Sequence, residues 1–371
     1  MPGERIGECS VFLSYGSVMI SYGTVMKWQL LGPKIPIPVW FSTLWRARGM
    51  DDPEQGIRWS KLQTQDWSEL DAAKGRTLLL VHGTGLRTVP GFLGLTREEY
   101  EHLNSVYGGR ILAYEHRALA HHLDRNAREL AQALESGGVP LELDVFGMSR
   151  GGLVTRRLVE GWEPLREDIH VRRLVMLGTP NDGTPSARRD TGRHQARLMK
   201  DWRHDVRRLA LTNFSERGVE LHADPFSIPA FDPDSCPKVT WPMLCGSQDQ
   251  VPGSPMLQQL NGFAGAAPFA RRDVTYFGLA SIFSFDHGAP NEMLTKSRRS
   301  EVLEHAIPST PNDLVVPTAS VFKPVQGPHA SGYFPLVRER LVVLTPSANG
   351  SHVGLFRLDA VRRQLIEWLT G

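Results

Sequence analysis

The sequence predicts an α/β fold: a mostly parallel central sheet flanked by helices, with an inserted cap. Three observations carry this prediction. From about residue 76, short apolar runs alternate with amphipathic stretches of helical length, the order that parallel strand-helix-strand units impose. Runs such as 76–81 are apolar almost throughout, as a buried strand is. The alternation breaks between about residues 186 and 261 and then resumes, which marks an insertion rather than a second domain in series.

The elements follow in order. Residues 1–75 have no clear period and are rich in Trp, Pro and β-branched residues, so they are expected to form strands and loops that pack on the main domain. Within them, Ser14-Tyr-Gly-Ser-Val-Met-Ile is followed at once by Ser21-Tyr-Gly-Thr-Val-Met-Lys. Two copies are too few for a solenoid, and a β-hairpin or a local duplication is the simpler reading. Strands are predicted at 76–81, 110–114, 141–146, 171–177, 273–277 and 341–344. Leu123, Ala127, Leu130 and Leu134 recur at spacings of three and four and predict a helix over 123–135. Leu153, Leu158 and Val159 sit on the helix after the strand at 141–146, and Leu358, Val361, Leu365, Ile366 and Leu369 share one face of a final helix. The expected division is an extension over 1–75, a core over 76–185 and 262–371, and a cap over 186–261.

Composition narrows the classes of function. The 371 residues hold 42 Lys and Arg against 40 Asp and Glu, a net charge of +2, so no global basic field argues for a nucleic-acid partner. With 41% hydrophobic and 22% charged residues the chain is globular in composition. Three cysteines cannot all pair with one another, which excludes a disulfide scaffold. No apolar run reaches the roughly 18 residues of a spanning helix. Glu4, Arg5 and Glu8 spoil the start of a secretory signal, so a cytoplasmic protein is expected. One local imbalance stands out. Residues 188–208 carry eight basic and three acidic groups, with Leu198, Trp202, Val206 and Leu209 as an apolar stripe. Such a helix can lie on an anionic lipid surface as a peripheral membrane contact, although one packed face and one solvated face is the more ordinary meaning.

The chemistry centres on Gly147-Met-Ser-Arg-Gly151, a G-x-S-x-G motif set between a predicted strand and a predicted helix. A serine hydroxyl is a poor nucleophile and must be displayed at a sharp turn beside a base. Gly147 and Gly151 flank it because the turn forces close strand-helix approach. An oxyanion hole is needed next. The N–H of Arg150, directly after the serine, is one candidate donor, and the loop Leu80-Val-His-Gly-Thr-Gly85 supplies Thr84 as the other. The base is expected on a late loop after the last strand, where His352 follows Pro346-Ser-Ala-Asn-Gly-Ser351. For the acid, Asp313 in Pro311-Asn-Asp-Leu-Val-Val-Pro317 competes with Asp249 in Met243-Leu-Cys-Gly-Ser-Gln-Asp-Gln-Val-Pro252. Asp313 is favoured because it is nearer the histidine and because Asp249 runs into what reads as the start of a cap helix; Asp182 is a distant third.

Together these residues resemble the lipase-like branch of the α/β-hydrolase superfamily, and several of the motifs are similar to those of bacterial triacylglycerol lipases and their esterase-like relatives, including the inositol-deacylase-like group. The resemblance covers roughly residues 76–371. It also draws on Leu177-Gly-Thr-Pro-Asn-Asp-Gly-Thr-Pro185 and Pro252-Gly-Ser-Pro-Met-Leu-Gln-Gln-Leu-Asn261. It implies a parallel sheet, a mobile cap and a serine esterase mechanism on a small ester or lipid, with no metal site or cofactor carried over. Trp202, Phe214, Phe226 and Phe231 would then line the acyl pocket or form the core of the cap. Acyl transfer to an alcohol at the same site and a non-catalytic binding module are the rival readings.

Overall fold

The computed structural model describes residues 9–14, 17–22, 42–51, 56–84, 92, 94–118, 121–161, 165–187, 245–262, 271, 273–284, 310–322, 336, 338–348 and 350–371. Strands β1 (Cys9–Ser14) and β2 (Ser17–Tyr22) form an antiparallel hairpin of their own, with Ser14 opposite Ser17. Residues 17–20 of the first copy of the sequence duplication thus pair with residues 11–14, and 23–27 of the second copy lie outside the described residues.

The main sheet has eight strands. In chain order they are β3 (Thr43–Ala47), β4 (Trp59–Lys61), β5 (Arg76–Val81), β6 (Ile111–Glu115), β7 (Leu141–Met148), β8 (Ile169–Leu177), β9 (Thr275–Ser281) and β10 (Leu341–Leu344). Across the sheet the order is β10-β9-β8-β7-β5-β6-β3-β4. Strands β6, β5, β7, β8, β9 and β10 are parallel, and β3 pairs antiparallel with both β6 and β4. This order of a mostly parallel open sheet, with helices on both faces, is that of the α/β-hydrolase fold.

Helices α1 (Thr64–Ala73), α2 (Arg97–Val106), α3 (Leu123–Glu135), α4 (Arg150–Val159), α5 (Pro255–Leu260), α6 (Thr318–Phe322) and α7 (Asp359–Thr370) complete the architecture. The run 78–81 is wholly apolar because it is covered twice. Leu79 and Val81 join one core with Leu70, Leu130, Leu153 and Leu257, while Leu78 and Leu80 join the other with Leu103, Leu365 and Trp368. Helices α1, α3, α4 and α5 therefore cover one face and α2 and α7 the other. Each fully buried Leu contributes about 1.5–3 kcal/mol through the hydrophobic effect.

The structure differs from the sequence expectation in three places. Residues 42–75 are part of the sheet and its helical layer rather than an extension laid upon them: β3 extends the sheet beyond β6, and α1 buries Leu70 completely. Strands of five and three residues are too short to show a period, yet they cover an edge of β6 that would otherwise stand open. Residues 245–261, assigned by sequence to the cap, pack on the core through the buried Leu257 and Leu260. Of the expected cap, 188–244 lies outside the described residues, and with it the basic stripe of Leu198, Trp202, Val206 and Leu209. Lastly, the strand predicted at 273–277 occupies Thr275–Ser281, with Gly278 in mid-strand beside Leu336. Among the described residues no helix is long and apolar enough to cross a membrane.

Candidate active site

Strand β7 runs into Ser149 and α4 leaves it, so the serine stands at a strand-to-helix junction. Its backbone has φ 52° and ψ −126°, in the left-handed half of the map that an L-residue with a Cβ rarely adopts. The Ser149 N–H donates to the carbonyl of Leu177 on β8 (2.7 Å), which holds the strained turn to the sheet. The flanking glycines answer to contacts rather than to dihedral freedom. A Cβ on Gly147 would lie 2.6 Å from the Gly152 backbone, and one on Gly151 would lie 2.3 Å from the carbonyl oxygen of Val81.

His352 opens the 3-10 turn His352–Arg357 after β10. Its Nε2 lies 2.8 Å from Ser149 Oγ and its Nδ1 lies 2.7 Å from Asp313 Oδ2. A carboxylate only accepts, so Nδ1 carries the proton and Nε2 is left to accept from the serine hydroxyl. Acid and base are joined a second time, by the His352 N–H donating to the Asp313 carbonyl (2.8 Å). Gly178, at the end of β8 with φ 56°, sits under the ring: a Cβ there would be 3.1 Å from His352 Cε1. Ser149, His352 and Asp313 are 7%, 6% and 1% exposed, so the chain of hydrogen bonds runs largely out of water.

Asp313 belongs to a tight turn in the chain beyond β9. Its Oδ1 accepts from the N–H groups of Val315 (3.0 Å) and Val316 (2.7 Å), which leaves Oδ2 for the imidazole. Leu314 between them has φ 81°, and its N–H donates to Asn312 Oδ1 (2.9 Å). Thr184 donates its hydroxyl to the carbonyl of Val315, so the Gly-Thr-Pro-Asn-Asp-Gly-Thr-Pro segment braces the acid turn from outside.

Asp249, the competing acid, has other work. Its carboxylate accepts from the Leu123 N–H (2.6 Å) and lies 3.0 Å from His122 Nδ1, at the N-terminus of α3, where the helix dipole favours an anion. Asp182 forms a turn whose N–H donates to the carbonyl of Ser320 (3.1 Å).

Of the two candidate oxyanion donors, Arg150 follows the serine directly and Thr84 follows Gly83, which lies against it. Arg150 opens α4, where the first N–H groups have no intrahelical acceptor. Gly83, one residue before Thr84, touches the serine itself: a Cβ there would be 2.8 Å from Ser149 Cβ. The sequence offered no sign that Gly83 was needed for this contact beyond its place in the His-Gly-Thr loop.

Behind this loop lies a buried polar cluster. His82 stacks on His116 at 4.2 Å between ring centroids. Burial, with His82 and Arg150 adding repulsion, holds the His116 imidazole well below its ordinary pKa of 6.5. The Arg150 side chain is wholly buried, and burial lowers its pKa from the ordinary guanidinium value to about 10 against the attraction of Asp249, so it stays charged at neutral pH. Among the described residues no group of three His, Cys, Asp or Glu is arranged to hold a metal ion. Trp202, Phe214, Phe226 and Phe231 lie outside the described residues.

A family described as a domain of unknown function (DUF7379) matches residues 48–370, most of the chain. The chain belongs to this family. The DUF7379 match takes in Ser149, Asp313 and His352, and it also starts well before residue 76, in keeping with the place of β4 and α1 in the core. No curated protein matches the chain. Among solved structures it is similar to lipase 1 from Pelosinus fermentans, at 16% identity and a TM-score of 0.47, covering 80% of this chain and 98% of that one. It is similar also to the mature lipase BlEst2 of Bacillus licheniformis, at 14% identity and a TM-score of 0.43 over 81% and 94% of the two chains. EstA from Clostridium botulinum follows at 15% identity and 0.44, over 80% and 88%.

Proposed function

We propose that the protein is a serine hydrolase of carboxylic esters that works through an acyl-enzyme. The observation that carries this reading is the continuous hydrogen-bond chain Ser149 Oγ, His352 Nε2, His352 Nδ1, Asp313 Oδ2, with links of 2.8 and 2.7 Å. Ser149 attacks the ester carbonyl while His352 takes its proton. Asp313 holds the imidazole in the productive tautomer and stabilises the cation that forms. The N–H groups of Thr84 and Arg150 receive the oxyanion, each such donor being worth about 3 kcal/mol in the transition state. His352 then gives its proton to the leaving alcohol, and water activated by the same imidazole releases the acid. A three-residue chain of this geometry has no structural need for its own order, since a buried Ser and His are satisfied more simply by backbone partners.

The decisive experiment is Ser149→Ala with p-nitrophenyl esters of graded acyl length. Turnover is expected to vanish while the thermal unfolding midpoint stays within a few degrees of the wild type. Undiminished hydrolysis by the purified variant refutes the assignment. In the wild type, a rate maximum at short acyl chains denotes an esterase, and activity on emulsified long chains denotes a lipase.

A further inference from the structure

The segment 246–250 supplies a partner to each side of the expected oxyanion hole. The carbonyl of Gly246 accepts from Arg150 Nε (3.1 Å) and from Gln250 Nε2 (3.2 Å). The same Gln250 amide nitrogen also lies 3.3 Å from Thr84 Oγ1, to which it donates. Thus Arg150 and Thr84 are tied to one another through a single carbonyl and a single side chain. Gln250 is itself immobilised: it is 4% exposed, its N–H donates to the Ser247 carbonyl (3.0 Å), and its carbonyl accepts from the Thr184 N–H (2.8 Å). On the other side, the Arg150 guanidinium donates to the His121 carbonyl (2.7 Å), and the Asn126 amide, once turned so that its oxygen rather than its nitrogen faces the guanidinium, accepts at 2.8 Å. With the amide so turned, every nitrogen of that fork has an acceptor.

We propose that Gln250 is a positioning residue that holds the Thr84 peptide in register with the Arg150 peptide across the oxyanion hole, using the Gly246 carbonyl as the shared anchor. This rests on the esterase reading given above and names the part of that site which sets the spacing of its two donors. An oxyanion donor acts only within about 2.7–3.1 Å of the developing charge, so a small drift of one peptide removes most of its benefit. Thr84 is the side that needs holding, because Arg150 is fixed by its own helix and its buried guanidinium. Gln250 makes no bond to Ser149, His352 or Asp313 among the described contacts, so its loss leaves the proton-transfer chain in place.

The test uses the full chain and three variants: Gln250→Leu, Thr84→Val and the double substitution. Thr84→Val keeps the backbone N–H and removes only the hydroxyl that Gln250 reaches. Each single change is expected to lower kcat on p-nitrophenyl butyrate about tenfold, less than the hundredfold or more lost with a whole donor, with KM within about twofold. Binding of a trifluoromethyl ketone, which forms the tetrahedral adduct, should weaken by the same factor as kcat/KM. The double variant should be no slower than the slower single one, since both remove one hydrogen bond. A purely structural role would instead lower the unfolding midpoint while leaving kcat of the folded fraction unchanged, and that result overturns the proposal, as do multiplicative losses in the double variant. If Gln250→Leu fails to fold, Thr84→Val alone decides on the same readouts. A wild type inert towards every ester overturns the proposed function and this inference with it. An active wild type with unaltered variants overturns the inference alone.

Discussion

Replacing Asp313 by asparagine changes one atom, and the geometry dictates where that atom goes. The Oδ1 position is met by two donors, the N–H groups of Val315 and Val316, so it must remain an acceptor. The amide oxygen of the new side chain is therefore held there and its NH2 faces His352 Nδ1, at the site Oδ2 now occupies 2.7 Å away. Nδ1 can then only accept, and the imidazole proton moves to Nε2. That nitrogen lies 2.8 Å from Ser149 Oγ and can no longer take its proton. A wrong tautomer in such an arrangement costs about ten-thousandfold in kcat, equivalent to about 5 kcal/mol of transition-state stabilisation. The assay is steady-state hydrolysis of p-nitrophenyl butyrate at pH 8, with circular dichroism to confirm the fold. KM should change little. An Asp313→Asn variant within tenfold of the wild-type kcat would refute the reasoning.

Three further outcomes are expected. Asp249→Asn should lower stability in urea by about 1–3 kcal/mol at constant m-value, because it deprives the buried Arg150 of its nearest carboxylate, 3.9 Å from Nη2; it should cut the rate far less than Asp313→Asn, and the reverse ranking would move the acid to Asp249. Gly151→Ala should cost at least about 3 kcal/mol or prevent folding, since the added methyl meets the Val81 and His82 carbonyls at 2.3 and 2.6 Å; a variant that melts like the wild type contradicts that contact. His116 should make stability fall with acidity. Its pKa is depressed in the folded protein, so between about pH 6.5 and its native titration the unfolded chain binds the extra proton and stability drops as pH falls. His116→Phe should flatten that part of a urea-midpoint profile between pH 7.5 and 5.5, and parallel profiles for variant and wild type would exclude His116 as the cause.

What could be read in advance was whatever depends on local pattern. The boundaries of α3 match the spacing of Leu123, Ala127, Leu130 and Leu134, all on its buried face. Gly147-Met-Ser-Arg-Gly151 was legible because two close backbone approaches each demand a residue without a Cβ. The choice between Asp313 and Asp249 was far less so. Both are soon followed by a Val-Pro pair, and what separates them is tertiary: one carboxylate is turned to His352 and the other to the start of α3. The strands β3 and β4 were hidden by their brevity. Gln250 was hidden because a buried glutamine announces itself only through the groups it joins, and these lie more than a hundred residues away in the case of Thr84.

The leucine at position 314 has a practical corollary. At φ 81° most turns employ glycine, and a glycine would enter this one with less resistance. The leucine is 8% exposed, so the side chain carried by this strained bend is held out of water. A search for such a turn by a glycine at its bend would pass this one over. Anyone exchanging the leucine for glycine to relax the backbone should expect a looser carboxylate in return, trading catalytic readiness for ease of assembly.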